Sequence, residues 1–338
     1  MTDALRSRLS LGITVALSLA ICGSSQASPS LVERQRDLGV MGTSLRIVAI
    51  GEDGAVLDRA IEAAITEIRR VEDLMTDWRP SPLTALNDQA GEPVAVPHEL
   101  AAIIGRSLAL CRLTGGAFDP TFAAAGVLWN FKAAPPHIPD AAAIRAALER
   151  VGGDRVTVDA AHDRVHLLKG MKLGLGGIAK GYGVDRAMAV LQQHGVKDAL
   201  VDAGGDMKAL GTRHGAPWEV AIKHPRDRDH AMAVLRLSNS CVVTSGDYER
   251  FVEVDGKRYH HILDPRTGYP ATGAMSATVV AQNAELADAL ATSLCVMGPA
   301  DGMALVERQK RVEAIIVGMD GVVYVSTGLQ DAVSATAP

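Results

Sequence analysis

The stretch Ser44 to Ile50 alternates polar and apolar positions and is rich in β-formers, which predicts a strand. The spacing then changes: Leu57, Ile61, Ile65, Ile68, Val71 and Met75 recur at helical intervals, so a long amphipathic helix follows. A second helix is expected from His98 to Leu113, entered after Pro97 and closed by Gly115-Gly116, and a third from about Asp140 to Val151, closed by Gly152-Gly153. Between them, Asn130 to Pro139 carries three prolines and reads as a surface excursion. Strand patterns then dominate, at Val156 to Val158, Arg164 to Leu168, Ala199 to Asp202, Trp218 to Lys223 and Ala231 to Leu237. They continue at Cys241 to Thr244, Arg250 to Val254, Tyr259 to Leu263 and Met275 to Ala281. Two helical segments, Ala284 to Met297 and Pro299 to Gln309, precede a hairpin over Glu313 to Val325 turned by Met319-Asp320-Gly321. Helices gathered early and meandering strands late predict an α+β fold, not a doubly wound sheet.

Composition narrows the class. With 48% apolar and 22% charged residues over 338 positions, the chain can bury a sizeable core. Its net charge of −5 and the lack of any Lys/Arg-rich stretch argue against a nucleic-acid partner. Arg6 and Arg8, the apolar run Leu9 to Cys22 and Ser25-Gln26-Ala27 read as a secretory signal over residues 1–27. A mature chain near Ser28, a single domain over residues 28–338 and a periplasmic location follow. Lipidation at Cys22 is the rival reading and the one route to a membrane anchor, but Ile21 stands where such signals carry Gly, Ala or Ser. Cys111, Cys241 and Cys295 lie in apolar surroundings without metal-ligand spacing and read as small core residues.

Several segments can carry chemistry. Leu173 to Asp185, L-G-L-G-G-I-A-K-G-Y-G-V-D, clusters glycines ahead of a helix with Lys180 in its first turn. Free N–H groups, the helix dipole and the ammonium together suit a phosphate; a tight turn packed on a sheet is the other reading. In A-L-V-D-A-G-G-D, Asp202 and Asp206 flank a Gly-Gly turn and are expected to serve their own backbone. Val243 to Arg250, V-T-S-G-D-Y-E-R, puts hydroxyls and charges at a strand end without declaring a role. On the helix Ala284 to Met297, Asp288 and Thr292 lie at i and i+4 on a face of small residues, which predicts a close neighbour there. A carboxylate and a hydroxyl are hard oxygen donors suited to Mg²⁺, although Thr292 can also bond its own helix backbone.

Tyr259 to Pro270, Y-H-H-I-L-D-P-R-T-G-Y-P, brings two imidazoles and a carboxylate to a forced turn. On a strand through Leu263, His261 and Leu263 share one face, and His260 and Ile262 the other. One histidine can then face a site; a solvated hairpin is the bland alternative.

Taken in order, Met41-Gly42-Thr43, Trp78, G-G-A-F-D-P-T at Gly115 to Thr121, the glycine-rich segment, the His261 segment and A-D-A-L-A-T at Ala287 to Thr292 resemble the FAD:protein FMN transferases, the ApbE-like flavin transferase family. The resemblance implies an α+β architecture of two interleaved α/β parts with mainly antiparallel strands around one flavin site. It further implies Mg²⁺-dependent cleavage of FAD, with FMN joined by a phosphoester to a Ser or Thr hydroxyl of an acceptor protein and AMP released. The acceptor it suggests is an extracytoplasmic flavoprotein subunit of a redox complex. Carried over by position, FAD contacts fall on Met41, Trp78, Ala117, Phe118, Asp119, Gly174, Lys180 and Ile262. Metal ligation falls on Asp288 and Thr292 with backbone oxygens of Gly177 and Ala291, and His261 and Lys180 are the candidate catalytic groups. Gly174 departs from the pattern, standing where many relatives carry Asp. Hydrolysis of FAD to FMN and AMP in the periplasm, or secreted FAD binding without catalysis, would use the same residues.

Overall fold

Val32–Val40 (β1) pairs along its whole length with Thr43–Gly51 (β2), Val32 opposite Gly51 and Val40 opposite Thr43, around a two-residue turn at Met41-Gly42. The sequence pattern predicts only the second of these. β1 reads V-E-R-Q-R-D-L-G-V and lies at the sheet edge with polar residues on both faces, so its periodicity carries no burial signal. The computed structural model describes residues 30–133, 135–227 and 230–330; the expected leader lies outside them. From Leu31 onward the chain forms one compact unit.

In chain order the helices are Gly54–Met75 (α1), Pro82–Asp88 (α2), His98–Leu113 (α3), Ala123–Gly126 (α4), Ala141–Leu148 (α5), Ala179–Gln193 (α6) and Ala284–Val306 (α7). The further strands are Pro93–Ala95 (β3), Thr157–Asp159 (β4), Arg164–His166 (β5), Asp198–Ala203 (β6), Asp206–Leu210 (β7), Trp218–Lys223 (β8) and Ala231–Leu237 (β9). Ser240–Gly246 (β10), Phe251–Val254 (β11), Lys257–His260 (β12), Ala274–Ala281 (β13), Glu313–Gly318 (β14) and Val323–Val325 (β15) complete them. One eight-stranded antiparallel sheet runs in the order β1-β2-β6-β7-β10-β13-β14-β15. This is the expected α+β architecture.

Strand alternation gives the sheet two apolar faces. Leu45, Ile47 and Ala49 of β2 join α1, α6 and α7 in the main core, whereas Val48 and Ile50 face a second core under the β8–β9 hairpin. α1 starts where Asp53 accepts hydrogen bonds from the N–H groups of Ala55 and Val56, and it buries the predicted stripe from Leu57 to Met75. α7 is buried nearly all round, its small-residue face pressed against α6 as the pattern predicts. Gly298, at φ 76°, interrupts that helix at the expected boundary between its two segments. Cys111, Cys241 and Cys295 are free and buried, and burial pushes each thiol up to about 12.

Candidate active site

Two tight hairpin turns meet at one end of the sheet. Met41-Gly42 joins β1 to β2, Gly204-Gly205 joins β6 to β7, and all four residues have positive φ. The turns touch: a Cβ on Gly204 would stand 2.0 Å from the Thr43 hydroxyl oxygen, so only glycine fits there. Met41, which is not a glycine, holds a left-handed φ of 53° at a steric cost; its N–H donates to Glu72 Oε1 at 2.9 Å, which anchors the turn to α1. Above the turns opens a cleft walled by the end of α1 through Trp78, the start of α6, the end of β10, and Arg250 and His261.

Lys180 reaches into this cleft from the first turn of α6. Its Nζ donates to both carboxylate oxygens of Asp206 at 2.7 Å and lies 3.4 Å from Asp288 Oδ1. Burial alone would depress the ammonium, but the carboxylates of Asp206 and Asp288 outweigh it and raise its pKa. For Asp206, burial and the neighbouring Asp288 push upward while Lys180 pulls down; the upward direction wins. Asp288 Oδ2 accepts the Gly181 N–H at 3.1 Å, so a side chain of α7 caps the otherwise uncapped start of α6.

Thr292 lies one turn further along α7, its Oγ1 3.4 Å from Ser245 Oγ and 3.5 Å from where a Cβ on Gly177 would stand. The Asp288 carboxylate, the Thr292 hydroxyl and the adjacent Gly177 backbone form a set of hard oxygen donors, and Ala291 is buried on the same helical turn. Among the described residues no group of three or more His, Cys, Asp or Glu could hold a metal. The donor set nevertheless fits Mg²⁺, which needs few protein ligands when phosphate oxygens and water complete its shell.

The structure shortens the strand expected through Leu263: β12 ends at His260, although the His261 N–H still donates to Arg250 O at 3.0 Å, the next step of its pairing with β11. His261 still lines the cleft, while buried His260 bonds Ala271 O at 2.9 Å. Burial first, then the charges of Arg250 and His260, lower the His261 pKa to about 4, and its Nδ1 has no partner.

Of the predicted FAD contacts, Met41, Trp78 and Lys180 line the cleft. Trp78 is 61% exposed, free to offer a ring face at the rim. Ala117, Phe118 and Asp119 are buried behind the wall; Phe118 packs 3.2 Å from where a Gly177 Cβ would stand. Asp119 serves its own loop, accepting from the Thr121 N–H and hydroxyl and from the Gly153 N–H. Gly174 donates its N–H to Pro120 O at 2.8 Å, tying these two loops together. Ile262 is buried and its carbonyl accepts from the Ala271 N–H, outside the cleft lining.

Sequence reasoning misplaced Asp206. Asp202 caps its own turn through the Gly205 N–H, as expected, but Asp206 turns inward to Lys180. The unassigned V-T-S-G-D-Y-E-R segment proves to supply Thr244, Ser245, Glu249 and Arg250 to the cleft. Asp77, not singled out by any pattern, lines it beside Trp78 and is pushed up by burial.

Fold and site together define an α+β protein with a polar cleft, at the end of an antiparallel sheet, that is lined by an ammonium and an imidazole and backed by hard oxygen donors. The ApbE family model matches residues 41–316, and the chain belongs to the ApbE family. It is 36% identical to the FAD:protein FMN transferase of Treponema pallidum (strain Nichols), over 96% of this chain and 94% of that one. The crystal structure of the ApbE protein from Thermotoga maritima superposes with a TM-score of 0.82 at 36% identity, covering 89% of this chain and 99% of that one. The apo form of Pseudomonas stutzeri flavinyl transferase ApbE gives 0.79 at 29% identity, covering 91% and 98%.

Proposed function

We propose that this chain is an FAD:protein FMN transferase, moving the FMN half of FAD onto a Ser or Thr hydroxyl of an acceptor protein and releasing AMP. The observation that carries the reading is the convergence, in a cleft of an ApbE-family fold, of Lys180 and His261 with the Asp288–Thr292 face just behind them. Asp288, Thr292 and the backbone oxygens of Gly177 and Ala291 would hold Mg²⁺, which when bound would supply positive charge against the pyrophosphate and the leaving AMP. Lys180 adds a fixed positive charge at the helix start, where the α6 dipole also favours phosphate oxygens. Met41 and Trp78 form the apolar and aromatic boundary against which the flavin nucleotide is oriented.

His261 takes the proton of the acceptor hydroxyl. Its imidazole lines the cleft and is neutral at physiological pH. A weak base suffices, because phosphoryl transfer depends more on positioning and charge stabilisation than on early deprotonation. The phosphorus next to riboflavin forms a new bond to the acceptor oxygen, its bond to the bridging oxygen breaks, and the electron pair leaves with AMP.

The acceptor we infer is an extracytoplasmic flavoprotein subunit of a redox complex, reached after export directed by residues 1–27; Cys22 lipidation is disfavoured by Ile21. Support for export is the composition of that leader, and N-terminal sequencing of the secreted chain tests it. The central experiment is mass spectrometry of a candidate acceptor incubated with enzyme, FAD and Mg²⁺, beside its Thr→Ala control. A gain of one FMN lost in the control is the expected result. AMP and free FMN without that gain would make the protein a hydrolase, and FAD that stays intact with an acceptor another family member modifies would make it a binding protein.

A further inference from the structure

We propose that Asp206 is a positioning residue that draws the Lys180 ammonium away from Asp288 and so keeps that carboxylate open to a divalent cation. The inference rests on the reading of Asp288 as a cation ligand. Asp206 is 1% exposed, and a carboxylate this deep is costly unless its surroundings repay it. Other turn and loop aspartates show how such a group is usually satisfied: Asp202 accepts a backbone N–H of its own turn, and Asp119 does the same in its loop. Asp206 does neither, and both its oxygens go to Lys180 at 2.7 Å.

The asymmetry of the triad is the point. Lys180 touches Asp206 through two contacts at 2.7 Å but stands off Asp288 Oδ1 at 3.4 Å, while Asp288 Oδ2 is held by the Gly181 N–H. With Asp206 absent, Asp288 would be the one carboxylate beside the ammonium, and attraction in a poorly solvated interior would close that gap. The resulting ion pair would occupy the oxygen a cation needs. With Asp206 present, two carboxylates face one ammonium, leaving a net negative charge that a divalent cation can satisfy. Lys180 thereby stays poised on the cleft side without competing for the metal.

The test is titration of Mn²⁺ by the EPR signal of the free ion, using the full mature chain without flavin, with folding checked by circular dichroism. Asp206→Asn is expected to weaken Mn²⁺ binding about tenfold, equivalent to about 1.4 kcal/mol. Asp206→Glu should retain most of the affinity. Lys180→Met should bind Mn²⁺ more tightly than the native chain, and Lys180→Met with Asp206→Asn should recover the affinity lost in Asp206→Asn alone, because the competitor is gone. A double variant as weak as Asp206→Asn, or Lys180→Met binding no tighter than the native chain, would overturn the inference; the first holds even if Asp206→Asn merely perturbs local structure. Asp288→Ala separates the two levels of argument. If it binds Mn²⁺ as the native chain does, the cation assignment fails and this inference falls with it. If it loses binding while Asp206→Asn keeps it, only the role of Asp206 is wrong.

Discussion

His261 shows how one residue's surroundings set a pH response. Its folded pKa of about 4 lies below the ordinary 6.5, chiefly through burial and then through Arg250 and His260. A depressed histidine favours the folded state while neutral, so its contribution is fully present above pH 6.5 and is lost as pH falls towards 4. Thermal unfolding should therefore show a midpoint that drops between those values, and His261→Gln should remove a part on the order of 2 kcal/mol from that drop. An unchanged pH profile in the variant would mean that the imbalance lies elsewhere. Gly174 gives a second prediction. A Cβ there would stand 3.0 Å from Ala123 Cβ and 3.7 Å from Asp77 Oδ2, so an Asp at this position would crowd one neighbour and repel the other. Gly174→Asp is expected to lower stability by about 1–3 kcal/mol, and Asp77→Asn in the same chain to restore part of it; denaturant unfolding of both measures this. The carboxylate of Asp77 was invisible to pattern reading because a lone Asp after a helix carries no spacing signal, and Asp206 was misread because its turn resembles one that serves itself.

At the level of elements, the approach of α6 to α7 is what brings Lys180 and Asp288 together. Gly181 permits it: a Cβ there would fall 2.1 Å from Ala284 O and 2.9 Å from Asp288 Cβ. Gly181→Ala should force the helices apart, weaken the Gly181 N–H bond to Asp288, and reduce stability by about 2–4 kcal/mol together with loss of transferase activity. If activity and melting temperature survive, the helix contact is not what sets the site. This contact was half legible in the sequence. The small-residue face of α7 announced a close neighbour, but nothing in the spacing named α6 as that neighbour. Elements with one buried face, such as α1 and the β8–β9 hairpin with its alternating burial, were read nearly to the residue. β7 was missed because D-M-K-A-L over residues 206–210 is short and interrupted by two charged residues, and the strand through His261 was drawn too long because the turn-forming Asp264-Pro265, four residues past its true end, looked like the stop.

The whole molecule divides its labour across the sheet. The helical face carries the cleft and the larger core, whereas Trp218, Val220 and Ile222 of β8 pack with Val48, Ile50 and Val242 on the reverse face. Trp218 is 2% exposed, its indole N–H donates to Leu210 O at 3.1 Å, and it belongs to the second core, outside the cleft lining. Trp218→Ala should thus empty part of the second core and cost about 3–5 kcal/mol of stability, while KM for FAD below the unfolding temperature stays near the native value. Chemical denaturation and steady-state kinetics on the same sample separate the two effects. A large rise in KM would show that the reverse face transmits to the cleft through the strands they share, most directly β10, whose Val242 faces the second core while its Ser245 lines the site. An unchanged KM would locate the determinants of substrate binding in the turns and helix starts at the sheet's end, leaving the hairpin as a stabilising cover.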